Sequence, residues 1–453
     1  MRGSSGGRRG GPAAVPAAVP AAVLAAVQAS LLVAVLAVAG CGSSARPVGD
    51  GTLLGQTVEV AAIWTGAEQA AFRAVLDAFE QRTGATVRYT SGGNDLPALL
   101  NSRLAGGSPP DVAVLGQPGV VTELARGGAL HPLTGPAAAA VAAHFPPAWQ
   151  ELGVIDGTLY GAYYKVAHKS IIWYRTDAFG EAGVRPPATW EDFLTVTSTL
   201  ADAGVGPMAL PAADGWVLTD WFENIYLRVA GPERYDQLVR REIPWTDPTV
   251  VRALGLLRDY WTLDRGIQGG PDGATQLTFV QAVADVFGAR PKSAMIFEGD
   301  FVATEIGKLG TVAVGRGAEF FEWPSIDGSP PAVITAGDQA VALRDTPGAM
   351  GLIAFLASPE AAEIAAARGG YLSANQDLDL ANYPDHATRQ LATSLLRAEL
   401  LRFDLSDLTP QAFGGGSQAS MLRLLQDFVA HPDPVRTAAA LEAAARHDFR
   451  TAR

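Results

Sequence analysis

Residues 57–63 read TVEVAAI, residues 66–82 GAEQAAFRAVLDAFEQR, residues 86–90 TVRYT and residues 111–115 DVAVL. The first, third and fourth are short, apolar-rich, strand-like runs. The second places Phe72, Val75, Leu76 and Phe79 at helical spacing, with Gly84 as a stop just past the last turn. Between the last two strands, Asn94 or Asp95 is positioned to cap a helix whose face is Leu96, Leu99, Leu100 and Leu104. Strand, helix, strand, helix, strand at this spacing predicts parallel βαβ units and an α/β fold.

Outward from this stretch the chain turns helix-rich. Thr189-Trp-Glu-Asp192 has the form of a capping box, and Asp247-Pro248, Ser358-Pro359 and Asp433-Pro434 carry an N-cap followed by proline at the first helical position. Further strands are predicted at Thr311–Val314 and Ala340–Leu343. Gly414-x-Gly416-x-x-Ala419 echoes a dinucleotide-binding fingerprint, but no strand precedes it and it reads as a loop.

The 453 residues are 48% hydrophobic and 18% charged, enough apolar material for a substantial core spread over two or three domains. Set against 46 acidic residues, the 34 basic ones leave a net charge of −12, the wrong balance for a nucleic-acid binder. Only four of the basic residues are lysine, an arginine bias to which no function attaches.

Residues 1–40 hold three arginines, no acid and a long apolar stretch, the layout of a secretory signal. That stretch runs into Val38-Ala39-Gly40-Cys41, which resembles a bacterial lipobox. Cys41 is the single cysteine of the chain, so it has no disulfide partner. It is the expected lipidation site and first residue of a mature protein with charge −15, tethered to the membrane through a spacer over residues 42–56. The alternative is an uncleaved membrane anchor with an incidental cysteine.

Catalytic signatures are missing. The sequence has no phosphate loop, zinc-protease helix or nucleophile elbow, and its six histidines are scattered. No cofactor or metal is expected. Asp220 and Glu223, at i and i+3 beside Trp216 and Trp221, are the one acidic pair that suggests glycoside hydrolysis, with helix capping or sugar binding as the plainer readings.

Several short segments, in order, resemble the extracellular solute-binding proteins of carbohydrate ABC transporters, the maltose-binding-protein superfamily. They are Pro110-Asp-Val112, Gly128–Leu133, Gly157–Tyr164, Ser170–Arg175, Pro187–Phe193, Ala294–Phe301, Phe320–Pro324, Phe355–Ala362 and Arg368–Asn375. The last, RGGYLSAN, is similar to the α-glucoside-binding branch. Two positions depart from the family's pattern. Arg175 stands where many relatives carry Asn, and Phe301 replaces the usual tryptophan, which bears on sugar identity. The resemblance implies a two-lobed periplasmic-binding-protein type II fold with the ligand cleft between its lobes. Residues 57–164 and 334–384 would form one lobe, and residues 165–333 and 385–453 the other. It also implies a monomeric, extracytoplasmic receptor with a carbohydrate ligand and ABC permease partners. A secreted glycosidase and a sugar sensor are the alternatives.

A sugar presents hydroxyls at its edge and C–H groups on its faces, so its site needs aromatic platforms, carboxylates and amides. By position and by resemblance the candidates are Trp64 and Glu68 after strand one, Asn94 and Asp95 after strand two, and Gln117 after strand three. Tyr163, Trp216, Asp220, Asp300, Phe301, Asp338 and Tyr371 complete the set. Trp216 is expected to stack on a sugar ring and Asp220 to bind hydroxyls. His168 and Lys169 read as a solvated pair, with contact to an anionic substituent as the alternative.

Overall fold

Alternation of small and branched residues makes Thr57–Ala62 a strand, β1, with Val58 and Val60 buried. Gly66–Thr83 (α1) buries Phe72, Val75, Leu76 and Phe79 and ends at Gly84, whose φ of 74° only glycine adopts without strain. Thr86–Ser91 (β2), Leu96–Ala105 (α2) and Val112–Leu115 (β3) follow, and β1 pairs in parallel with both β2 and β3. The predicted βαβ units are present. The computed structural model describes residues 52–93, 96–415 and 418–451, so the leader, Cys41, Asn94 and Asp95 lie outside the described residues.

The chain then crosses between two sheets. Gly161–His168 (β4) belongs to the first and Ile171–Arg175 (β5) to the second. The second sheet continues with Gly206–Ala209 (β6), followed in the chain by a long helix, Trp216–Val239 (α3). Ser293–Phe297 (β7), the helix Val302–Leu309 (α4) and Ala318–Glu322 (β8) come next. Val333–Ala342 (β9) returns to the first sheet, where Leu401–Phe403 (β10) also pairs. The first sheet runs β10-β9-β3-β1-β2, with β4 also on β9, and the second runs β8-β5-β7-β6. β9 is antiparallel to both β3 and β4.

Helix starts follow their caps. Thr189 accepts from the Asp192 amide, Asp247 from Thr249 and Ser358 from Ala361, satisfying donors that a helix start leaves free. One expectation fails and another holds only in part. The run at Thr311–Val314 is not a strand. It is bracketed by turns at Gly310 and Gly315 (φ 64° and 80°), and the ladder starts only at Ala318. Of the loop expected over residues 414–419, Gly414 and Gly415 belong to a π-helical turn, Gln418 and Ala419 to no regular element, and residues 416 and 417 lie outside the described ones.

Helices cover both sheets, and one core cluster includes strand residues of each, among them Val60 and Trp173. Phe72, Phe79, Leu352 and Phe355 pack on the first. Phe193, Trp221, Tyr226 and Leu257 pack on the second, where Trp221 stacks on Tyr260 at 5.3 Å.

Candidate ligand-binding site

The crossing segments meet at Lys169. Its amide donates to the Ile334 carbonyl at 2.9 Å and the Asp404 amide to Thr335, so the strand ends entering and leaving the first sheet are stitched together. The Lys169 side chain is 9% exposed, not solvated as its neighbours in sequence suggested, and its ammonium lies 2.8 Å from Asp220 Oδ1 and 2.6 Å from Asp404 Oδ2. Burial alone would lower this lysine's pKa; the two carboxylates outweigh it and hold it well above the ordinary value. Burial pushes the Asp220 carboxyl up. At Asp404 burial is outweighed by Lys169 and the Ser406 hydroxyl, which hold it below the usual range. His168 is buried too, its amide donating to Asp300 Oδ1 at 2.7 Å.

This arrangement corrects the expectation that Asp220 binds sugar hydroxyls, and it equally opposes the alternative of a hydrolytic pair with Glu223. Both are fully buried. Glu223 accepts from the Leu405 and Ser406 amides and the Tyr235 hydroxyl, while Asp220 faces Lys169. Neither lines a cavity of the cleft. Among the described residues Asp220, Glu223 and Asp404 are also the acids grouped closely enough to hold a metal, within 4.8 Å. Lys169 already supplies the cation there, so the cluster is an internal ion network.

In front of Lys169 lies a cavity of about 390 Å³ lined from both sheets. Six of the residues singled out from the sequence surround it: Trp64, Glu68, Trp216, Asp300, Phe301 and Asp338. Trp216, at the first turn of α3, meets Phe279 at 5.4 Å and Phe301 at 5.9 Å between ring centroids, and Phe279 meets Phe301 at 5.7 Å. These three half-buried rings form an aromatic wall. Lys169 Nζ sits 5.8 Å from the Trp216 ring and supports it from behind. Asp338, on β9, faces the same cavity. Burial pushes its carboxyl up to about 6, with Lys165 pulling the other way.

Tyr371 lines a second, adjoining compartment of about 460 Å³, where its hydroxyl donates to the Tyr164 carbonyl at 2.7 Å. Tyr163 is not at the cleft surface. It is buried between Trp149 and Phe403. Gln117 sits at the N-cap position of the helix Pro118–Arg126 without a capping hydrogen bond and lines neither compartment. The residues missed in the sequence include Lys165, Phe279, Asp404 and Asp407. One signal was available for the lysine: of four lysines in an arginine-biased chain, Lys165, Lys169 and Lys308 all line this cavity. A compact ammonium fits narrow carboxylate clusters that a guanidinium would overfill.

Comparison with known proteins agrees with this geometry. Residues 64–363 match the model of the bacterial extracellular solute-binding proteins. The chain belongs to that family. It is 33% identical over 397 residues to the osmoprotective compounds-binding protein of Synechocystis sp., covering 85% of this chain and 92% of that one. It is 32% identical to the α-glucosides-binding periplasmic protein of Rhizobium meliloti, covering 81% and 82%. Among solved structures, a bacterial solute receptor with exclusive preference for β-D-galactopyranose superposes with a TM-score of 0.73 at 19% identity, covering 88% of this chain and all of that one. A chitin oligosaccharide binding protein superposes with a TM-score of 0.72 at 17% identity, covering 87% and 99%. The fold is therefore the two-lobed receptor fold, and relatives and fold alike are those of solute receptors, not enzymes. The family serves ABC transporters outside the cytoplasm, and the relatives support a carbohydrate as the cargo.

Lys169→Met is expected to lower the unfolding free energy at pH 7.5 by about 3–5 kcal/mol, because it leaves Asp220 and Asp404 buried without their cation. The orphaned carboxyls then have raised folded-state pKa values, so protonation favours the folded form and the deficit shrinks toward pH 5. Urea unfolding of both proteins at the two pH values checks this; an unchanged midpoint at pH 7.5 would contradict it.

Proposed function

We propose that the protein is the membrane-tethered receptor of a carbohydrate importer, that its cargo is a small glycoside of the α-glucoside type, and that it hands this cargo to the permease as a monomer. The observation that carries the reading is the pair of rings Trp216 and Phe301, packed against Phe279, which shares one cavity with the carboxylates of Asp300 and Asp338. The rings cover the C–H face of a pyranose, and the carboxylates accept from its hydroxyls in charge-assisted hydrogen bonds. A cavity of about 390 Å³ is at the lower end of ordinary ligand pockets, which favours one or two sugar rings over a long chain. The similarity to an α-glucosides-binding protein supports the sugar class. Cys41, after its apolar leader, is the proposed lipid attachment point.

Calorimetric titration of the purified chain with glucosides, other hexosides, polyols and phosphodiesters tests the cargo. One glycoside class is expected to bind, and Trp216→Ala to weaken it at least tenfold. Saturation across the panel by no sugar, or by a phosphodiester alone, would overturn the assignment. The same titration run from pH 7.5 to 5 should show affinity falling below about pH 6, as Asp338 takes up its proton and loses its charge, and Asp338→Asn should flatten that profile.

The tether is tested by expressing the chain in a bacterial host and separating membranes from soluble fractions. The wild type is expected in the membrane fraction after detachment of the leader. Cys41→Ser should lack the lipid, and equal lipid labelling of the two would contradict the proposal.

A further inference from the structure

The two compartments of the cleft share Trp64, Glu68, Lys165 and Thr304, so they form one groove. At their junction Lys165 Nζ donates to Glu68 Oε1 at 2.7 Å. The two sides of that ion pair differ in chemistry. The compartment in front of Lys169 holds the acids Asp300, Asp338 and Asp407 beside the Trp216 wall. The other is built largely of Ala67, Ala70, Ala71, Phe72, Tyr164 and Tyr371. Its polar groups sit at its edges: the Tyr371 hydroxyl donates to the Tyr164 carbonyl, Lys165 to Glu68 at the junction, and the Arg368 guanidinium to the Ile364 carbonyl at the exposed rim. Gly370 admits the close approach of Thr304 on α4, since a Cβ there would lie 2.9 Å from Thr304 Oγ1.

We infer that the cargo is a glycoside of two unlike parts, with a sugar ring in the acidic compartment and a compact, weakly hydroxylated aglycone in the apolar one. This rests on the receptor reading above and narrows it. A second pyranose beyond the Lys165–Glu68 pair would set several hydroxyls against the wall of Ala67, Ala70, Ala71 and Phe72, and each buried hydroxyl left unpaired there opposes binding. An aglycone with an apolar face loses no such hydrogen bonds and gains from leaving water. Ala71 is less exposed than Ala67 and Ala70 on the same helix, and a larger residue there takes up space in the compartment.

The test is calorimetric titration of the full chain with matched sets of free hexose, phenyl hexoside and reducing disaccharide, in gluco, galacto and manno series and both anomers. In the series that binds, the phenyl hexoside should bind at least tenfold tighter than the free hexose and no weaker than the disaccharide. In Ala71→Leu that advantage should fall to about twofold or less. Ala67→Leu, at a more exposed position of the same compartment, is the second variant, and circular dichroism verifies that both are folded. A wild-type advantage near one, an advantage retained by both folded variants, or a disaccharide tenfold tighter than the phenyl hexoside overturns the inference while leaving the sugar receptor standing. Absence of binding by every sugar overturns both.

Discussion

The structure turns on one buried ammonium. Lys169 lies at the first crossing between the sheets, Asp404 at the strand end returning from β10, and Asp220 one turn inside the helix that carries Trp216. An isolated ammonium at this depth is costly, and the cost is offset only if both carboxylates stay in place. The ion triad therefore constrains three separate chain segments at once. Where the crossings run, how α3 enters the cleft and where Trp216 points all follow from it. Hydrogen bonds from Lys169 to Ile334, from Asp404 to Thr335 and from Ser170 to Asn224 extend the same constraint into both sheets.

With the frame held this way, the cleft is left to present what a carbohydrate needs. Asp300 is anchored through Oδ1 to the His168 amide, which leaves its other oxygen for the cavity. Asp338 sits on the adjacent sheet with a carboxyl that burial has moved toward neutrality. The groups proposed to bind the ligand thus come from two sheets linked by the crossings, an arrangement in which ligand contact and lobe closure favour each other. Acids placed in pairs elsewhere would suggest hydrolysis. Here the pair beside the tryptophans serves the frame instead.

Much of this was legible in the sequence because it depends on local rules. Periodicity in residues 57–115, caps at Thr189, Asp247 and Ser358, and the stop at Gly84 each act within a few residues, and each appears in the fold. Trp216, Phe301, Asp300 and Asp338, chosen because sugar chemistry limits the residue types and the family resemblance limits the positions, line one cavity. Asp220 and Tyr163 were misplaced for one reason: a side chain's choice between cleft and core depends on partners far away in sequence. Asp220 meets Lys169, 51 positions before it, and Asp404, 184 positions after it, and no local pattern encodes those encounters. The strand expected at Thr311–Val314 failed because the glycines around it favour turns over its apolar pattern.

On the proposed reading stability and selectivity are separated, since the ion triad carries the one and the walls of the cleft the other. The most direct test is a crystal structure of the chain with a bound glycoside. The account predicts the sugar ring against Trp216 with its hydroxyls on Asp300 and Asp338, and Lys169 still bridging Asp220 and Asp404. A glycoside bound outside this cavity, or a Lys169 drawn away from its two carboxylates onto the ligand, would contradict it.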